Sequence, residues 1–304
     1  MGEIPLIWID EIKNDRSSGA SELAGRAVRG FVDWVQGLPK KRIESLREET
    51  IRLGLKLIGA QPVMVPLRQL VNQVLNGLEG IENFAHGKEA ICQVALEFGA
   101  ALGKSVWSIA EQTMELIRNG QVLLVHSYSS TLLAGLLRAR EAGKRFEVIC
   151  TESRPLHDGR YMAQKLAEAG VPVTLITDAA AFQFLPRADQ ILVGGDALTP
   201  AGLINKIGTR GLAMSACSKP FYALCGSEKF WPQPLPVLLE NQTHEPQELW
   251  PQAPSIIRIR NFYFDQTPIK QLTAVIAQED VLSPSEVLTT LREVVVHPSL
   301  IPKD

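Results

Sequence analysis

QVLLVHS at 121–127, FEVICTE at 146–152, PVTLIT at 172–177, QILVGG at 190–195 and FYALCG at 221–226 are five short apolar runs rich in β-branched residues. Helical stretches separate them, the first running through Ala142 and the second ending at Gly170. A short helix follows 177, and another is expected to begin near Asn205. Continuous apolar strands joined by helices predict a parallel sheet covered on both faces. Right-handed crossovers then give an α/β, Rossmann-like, doubly wound parallel-sheet domain over 120–304.

Before residue 120 the texture differs. From Ser21 to Met114 the chain is rich in Leu, Ala, Glu and Arg, with apolar positions three and four apart. That spacing predicts an N-terminal helical domain over 1–119. Ile43, Leu46, Ile51, Leu55 and Ile58 share one face, and Pro39, Pro62 and Pro66 mark breaks or first turns. Trp231 to Pro254 holds six prolines and is expected to be an extended excursion over the surface or across a partner. Residues 261–291 read as an ordered turn, a short helix, a strand and a last helix capped near Ser283.

Composition narrows the function. Thirty-one Lys and Arg against thirty-three Asp and Glu give the 304 residues a net charge of −2, which argues against direct nucleic-acid binding. No apolar run approaches the roughly 18 residues needed to cross a bilayer, and no signal peptide is visible, so a cytoplasmic protein without membrane contact is expected. Cys92, Cys150, Cys217 and Cys225 lack CxxC spacing and read as reduced core thiols, with no metal site. GAALGKS (99–105) is one residue short of a P-loop, and no GxGxxG follows a strand, so no cofactor is expected.

In an open parallel sheet, ligands bind beyond the carboxyl ends of the strands, beside helix N-termini that attract anions. The residues just past the strands therefore form the candidate set: His126, Ser127, Tyr128 and Ser129; Glu152 and Arg154; Asp178; Asp196; and Lys229. Asn205, Lys206 and Thr209 are expected to open the helix after the fourth strand. Hydroxyls and cations beside carboxylates suit a phosphorylated polyol. Plainer roles stand beside these: helix caps for Ser127 and Ser129, an ion pair for Glu152 and Arg154, an N-cap for Asp178 over a helix 179–185, and a packed core imidazole for His126.

GGDALTPAGLINKIGT (194–209), VICTESRPLHDGRYMAQKLAEAGVPVTLITDAA (148–180), SSGASELAGRAV (17–28), NFYFDQTP (261–268) and VLSP (281–284) together resemble one family. It joins the alpha, beta and delta regulatory subunits of translation initiation factor two-B with isomerases of ribose-1,5-bisphosphate and 5-methylthioribose-1-phosphate. The resemblance implies a two-fold homodimer through the C-terminal domain and a pocket between the domains for a phosphorylated sugar or nucleoside monophosphate. It implies ligand contacts at Asn205, Lys206 and Lys229, and gives Asp196 the place of the isomerases' catalytic aspartate.

The chain also departs from the family. Val125 is matched to a proton-shuttling cysteine, and Ser18, beside Gly19 and Ala20, stands where the bisphosphate isomerase has an arginine. Gln61 replaces a second arginine, Arg16 is a candidate substitute, and the loop from Asp196 to Asn205 is one residue short. The departures favour a regulatory or non-catalytic binder. The alternative is an aldose–ketose isomerase using Asp196, with His126 as a replacement proton carrier. A third reading is an assembly module without a working site.

Overall fold

A computed structural model describes residues 7–15, 18–216, 218–233 and 244–301. The chain forms two compact units, one running to Lys104 and including the residues from Glu293 on, the other spanning Ser105–Arg292. The division differs from the change of texture at 119/120, because a single helix runs through that region.

The first unit is helical: α1 (Ile7–Asn14), α2 (Ala20–Gly37), α3 (Ile43–Ala60), α4 (Val65–Gly77) and the first part of α5 (Phe84–Leu116). In α2, Leu23, Ala27, Val28, Phe31, Trp34 and Val35 are buried at helical spacing. Pro66 sits in the first turn of α4, where its missing N–H leaves no helical bond unmade. The C-terminal residues join this unit through Asn72, whose amide donates to the Val295 carbonyl at 2.8 Å and accepts from the His297 N–H at 2.8 Å. GAALGKS lies inside α5, as helix and not as a phosphate loop.

In the second unit the expected strands form: β1 (Gln121–His126), β2 (Phe146–Thr151), β3 (Val173–Ile176) and β4 (Gln190–Gly194). Between them run α6 (Ser130–Glu141), α7 (Asp158–Glu168) and the short α8 (Ala181–Phe184). After β5 (Ala197–Thr199) and β6 (Gly202–Lys206) come α9 (Thr209–Ser215) and β7 (Phe221–Leu224). Then come β8 (Phe264–Thr267), β9 (Ala274–Ile276), β10 (Val281–Leu282) and α10 (Pro284–Glu293).

The main sheet has the order β10-β9-β7-β4-β1-β2-β3 and is parallel except for β10. Alternation along each strand feeds two cores. Leu124, Ile149, Ile191, Val193 and Val275 pack with Leu212 of α9 and Val287 and Leu291 of α10. Leu123, Val125, Val148, Leu192 and Ile276 pack with Ile109 of α5, Leu132 and Leu136 of α6, and Met162 of α7. Burial on both faces explains the unbroken apolar runs of β1, β2, β4 and β7, whereas the edge strand β3 exposes Thr174 and Leu175.

Two expectations fail here. The helix expected near Asn205 begins only at Thr209; Asn205 and Lys206 end β6, the centre of an antiparallel sheet of order β5-β6-β8. NFYFDQTP, expected as a turn, supplies β8. The last helix is capped as expected: the Ser283 N–H donates to the Glu286 carboxylate at 2.8 Å, and the Glu286 N–H donates to Ser283 Oγ at 3.4 Å. In the proline-rich segment, residues 234–243 lie outside the described set, while Trp231 is buried and pairs its N–H with the Leu198 carbonyl at 2.8 Å.

Leu124 is fully buried between β2 and β4. Leu124→Ala is expected to lower the stability of the chain by about 2–5 kcal/mol in urea denaturation. A loss under about 1 kcal/mol would mean that the sheet is not packed on this face.

Candidate functional site

Strand order reverses between β1 and β4: β2 and β3 lie on one side of β1, β7 and β9 on the other side of β4. Such a reversal opens a crevice at the carboxyl edge, because the crossovers on its two sides leave in opposite directions. Ser127, Glu152, Asp196 and Lys229 all follow strands that end there.

Lys206 and Lys229 are both buried. Lys206 Nζ lies 2.5 Å from Asp158 Oδ2, at the start of α7, and 5.4 Å and 5.9 Å from the ring centroids of Tyr263 and Phe264. A buried ammonium needs such partners, since the loss of hydration must be offset locally. Asp196 keeps part of its surface accessible. The protein packed around its carboxyl pushes the pKa up, opposed by the charges of Lys229 and then Lys206 and reinforced by Asp158. One carboxyl with a raised pKa, two ammonium groups and a second carboxylate therefore share one small region.

His126 is the last residue of β1. Its Nε2 donates to the Ile207 carbonyl at 2.9 Å, which leaves Nδ1 to accept from the Thr151 hydroxyl at 2.7 Å. Thr151 Oγ1 lies 3.0 Å from Ser153 Oγ, and Ser153 Oγ accepts the Ser127 N–H at 2.8 Å. Burial pushes the imidazole pKa down. With both nitrogens engaged and its charged form disfavoured, His126 ties β1, β2 and the β6–α9 loop together; it is not placed to carry protons. Gly208, at φ 106°, brings its backbone against this ring: a Cβ there would lie 3.1 Å from Nε2.

Val125 lies inside β1 among the core residues Leu132 and Leu136 and does not face the crevice. The residue just past the strand is Ser127, buried, with φ 70° and its hydroxyl 3.5 Å from Asp158 Oδ2. The position beyond the first strand thus carries a hydroxyl. Ser129 is the N-cap of α6 and accepts from the Leu132 N–H at 3.3 Å.

The Glu152–Arg154 ion pair does not form. Glu152 pairs with Arg160 at 2.7 Å, which holds its carboxyl below the usual range, and Arg154 reaches His157 and the Leu249 carbonyl. Asp178 caps no helix. It opens a 3-10 turn, and its two oxygens accept the N–H groups of Ser153 and Arg154, both at 2.7 Å, bracing the exit of β2.

Asn205 donates to Thr209 Oγ1 at 3.0 Å. The start of α9, expected to attract a ligand anion, already has one: Asp265 of β8 accepts the N–H groups of Gly208 at 2.8 Å and Arg210 at 3.1 Å. Burial pushes the Asp265 carboxyl up to about 6. Sequence reasoning missed Asp265 and Asp158, because each meets its partner from a distant part of the chain.

In the helical unit, Gly19 is the N-cap of α2 and Ala20 its first residue. The Ser18 hydroxyl donates to Asp15 at 2.9 Å, and the Gln61 amide donates to the Ile12 carbonyl at 2.9 Å, so both polar groups serve the local fold. Arg16 lies outside the described residues. Cys150 and Cys225 are buried, with thiols pushed up to about 12, and Cys217 is outside the described residues. Among the described residues, no group of three His, Cys, Asp or Glu is placed to hold a metal ion, and no helix is long and apolar enough to cross a membrane.

The model of the Initiation factor 2 subunit family matches residues 16–284. The chain belongs to this family. It is 31% identical over 292 residues to a ribose 1,5-bisphosphate isomerase of Methanocaldococcus jannaschii, covering 93% of this chain and 94% of that one. A putative translation initiation factor eIF-2B subunit 2-like protein of Pyrococcus horikoshii is 30% identical over 285 residues, covering 90% and 94%. The crystal structure of the P. horikoshii OT3 translation initiation factor eIF-2B superimposes with a TM-score of 0.79 at 29% identity, over 92% of this chain and 98% of that one.

Asp265 generates a pH signature. The folded carboxyl holds its proton to about pH 6, whereas an unperturbed one releases it near 3.8. In that window the folded state binds more protons than the unfolded, so this group's contribution to stability falls as pH rises. Urea denaturation at about pH 4 and about pH 6.5 should show wild type losing stability relative to Asp265→Asn over that interval. A difference between the two proteins that stays constant with pH would contradict the assignment.

Proposed function

We propose that this family member is an aldose–ketose isomerase acting on a phosphorylated pentose of the ribose 1,5-bisphosphate kind, with Asp196 as its acid. The observation that carries this reading is the partly accessible residue Asp196, the pKa of its carboxyl raised by burial, beside the buried Lys206 and Lys229. A carboxyl whose pKa is raised by burial is suited to give a proton to a ring oxygen as the sugar opens, and the lysines offset the charge of a phosphate. Relatives carrying the isomerase name support it, the M. jannaschii protein at 31% identity over nearly the whole of both chains. The strand order, with both faces covered, supports a Rossmann-like doubly wound domain, and the family membership supports a homodimer.

A second reading, a binder of sugar phosphates or nucleoside monophosphates without turnover, is favoured by one observation: Ser127 comes directly after β1, and a hydroxyl is a far weaker acid than a thiol. Isomerisation of ribose 1,5-bisphosphate monitored by NMR decides between the two. Turnover by wild type, lowered at least about 100-fold by Asp196→Asn, is expected. Binding without turnover would favour the second reading, and an unimpaired Asp196→Asn would remove Asp196 from the mechanism.

A further inference from the structure

We propose that Asp158 is a second catalytic residue of this site, the base that moves the carbon-bound proton; the proposal rests on the isomerase reading above. Opening the ring of a C1-phosphorylated pentose and forming the ketone at C2 requires two kinds of proton transfer, one at oxygen and one at carbon. A single carboxyl does not serve both at once, because it must be protonated for the first and ionised for the second.

Candidates for the second group are few among the described residues of this crevice. His126 has both nitrogens engaged. Both oxygens of Asp178 accept backbone N–H groups. Glu152 is paired with Arg160, and Asp265 with the start of α9. The thiols of Cys150 and Cys225 are buried, and burial pushes both up to about 12. Glu228, just past β7, accepts from the Ser105 hydroxyl at 3.3 Å. Asp158 is itself ion-paired, with Lys206, but it is the carboxylate whose charge reaches Asp196, and 27% of its side chain stays exposed to a ligand. Its Oδ2 lies 2.5 Å from Lys206 Nζ and 3.5 Å from Ser127 Oγ, and its charge is felt by Asp196.

The backbone fixes this placement. His157, before the helix, takes φ 62°. Gly159, after Asp158, lies so close to β2 that a Cβ would meet the Thr151 carbonyl oxygen at 1.8 Å. The first turn of α7 is thereby pressed onto the exit of β2, and Asp158 has little freedom to swing away from Lys206.

The step balances with these two groups alone. Asp196, protonated, gives its proton to the ring oxygen as the C1–O bond breaks and that electron pair passes to the oxygen. The Asp158 carboxylate takes the proton from C2, and the C–H electron pair forms the C1=C2 double bond of an enol phosphate. Asp158 then returns the proton to C1, while the C2 hydroxyl gives its proton to Asp196 and becomes the ketone. Both carboxyls end as they began, and no oxidant is consumed.

The test is the steady-state kinetics of Asp158→Asn on ribose 1,5-bisphosphate, with the melting temperature as a folding control. The expected result is a fall in kcat of at least about 100-fold with KM within about threefold of wild type. A raised KM with kcat unchanged would show that Asp158 only holds Lys206, and would overturn the proposal, as would unaltered kinetics. Should Asp158→Asn fail to fold, Asp158→Glu keeps the charge beside Lys206 but displaces the base, and is expected to lower kcat at least about tenfold; wild-type kcat in that variant would overturn the proposal. Wild type without turnover defeats the isomerase reading itself, a result distinct from an active wild type with an equally active variant.

Discussion

Two ammonium groups buried at the carboxyl edge of a parallel sheet set the terms for everything around them. A charge removed from water must find compensation within a few ångströms, or the fold loses several kcal/mol per ion. Asp158 and the faces of Tyr263 and Phe264 supply it for Lys206, and Asp196 lies within the field of both lysines. The same arrangement leaves Asp196 with two opposed influences, burial raising its pKa and the lysines lowering it. Burial wins, and the pKa of the carboxyl is raised.

Holding those charges in register is the work of a buried polar chain. It runs from the Ser127 N–H through Ser153 and Thr151 to His126, and from His126 to the Ile207 carbonyl, one residue past Lys206. Each donor along it has an acceptor, so the exits of β1 and β2 are joined to the end of β6 through satisfied polar groups. Asp265 closes the remaining gap by binding the first N–H groups of α9, next to β6. The left-handed backbone at Ser127, Ser153 and His157 clusters at this same edge. Non-glycine residues keep that conformation only where surrounding bonds enforce it.

Much of this is legible in the sequence. Five of the six parallel strands read as continuous apolar runs, and in all of these but the edge strand β3 burial on both faces writes that pattern into the residues. Asp196 and Lys229 emerge from their positions at the strand exits, with no contact information needed. The hidden parts depend on distant pairing. β6 reads as the approach to a helix because GLINK has no alternation of its own; its strand character comes from β5 and from β8, far downstream. The role of Asp265 depends on the same pairing, since Asn205 and Asp265 are register partners. Asp158 looks like an ordinary acidic residue in a first helical turn, and only the close approach of Gly159 to β2 brings it to Lys206. The resemblance matches Val125 to a position facing the ligand, but the pleat turns it into the core, one residue short of the strand's end and two short of Ser127.

The central claim is that Lys206, held between Asp158 and two aromatic faces, is the anion-recognising charge of the site. Calorimetric titration of ribose 1,5-bisphosphate into wild type and Lys206→Met tests it most directly. The predicted result is an affinity at least about tenfold weaker in the variant, the order expected when a charge-assisted hydrogen bond is lost. Equal affinity in the two proteins would show that the ligand's anionic group binds elsewhere.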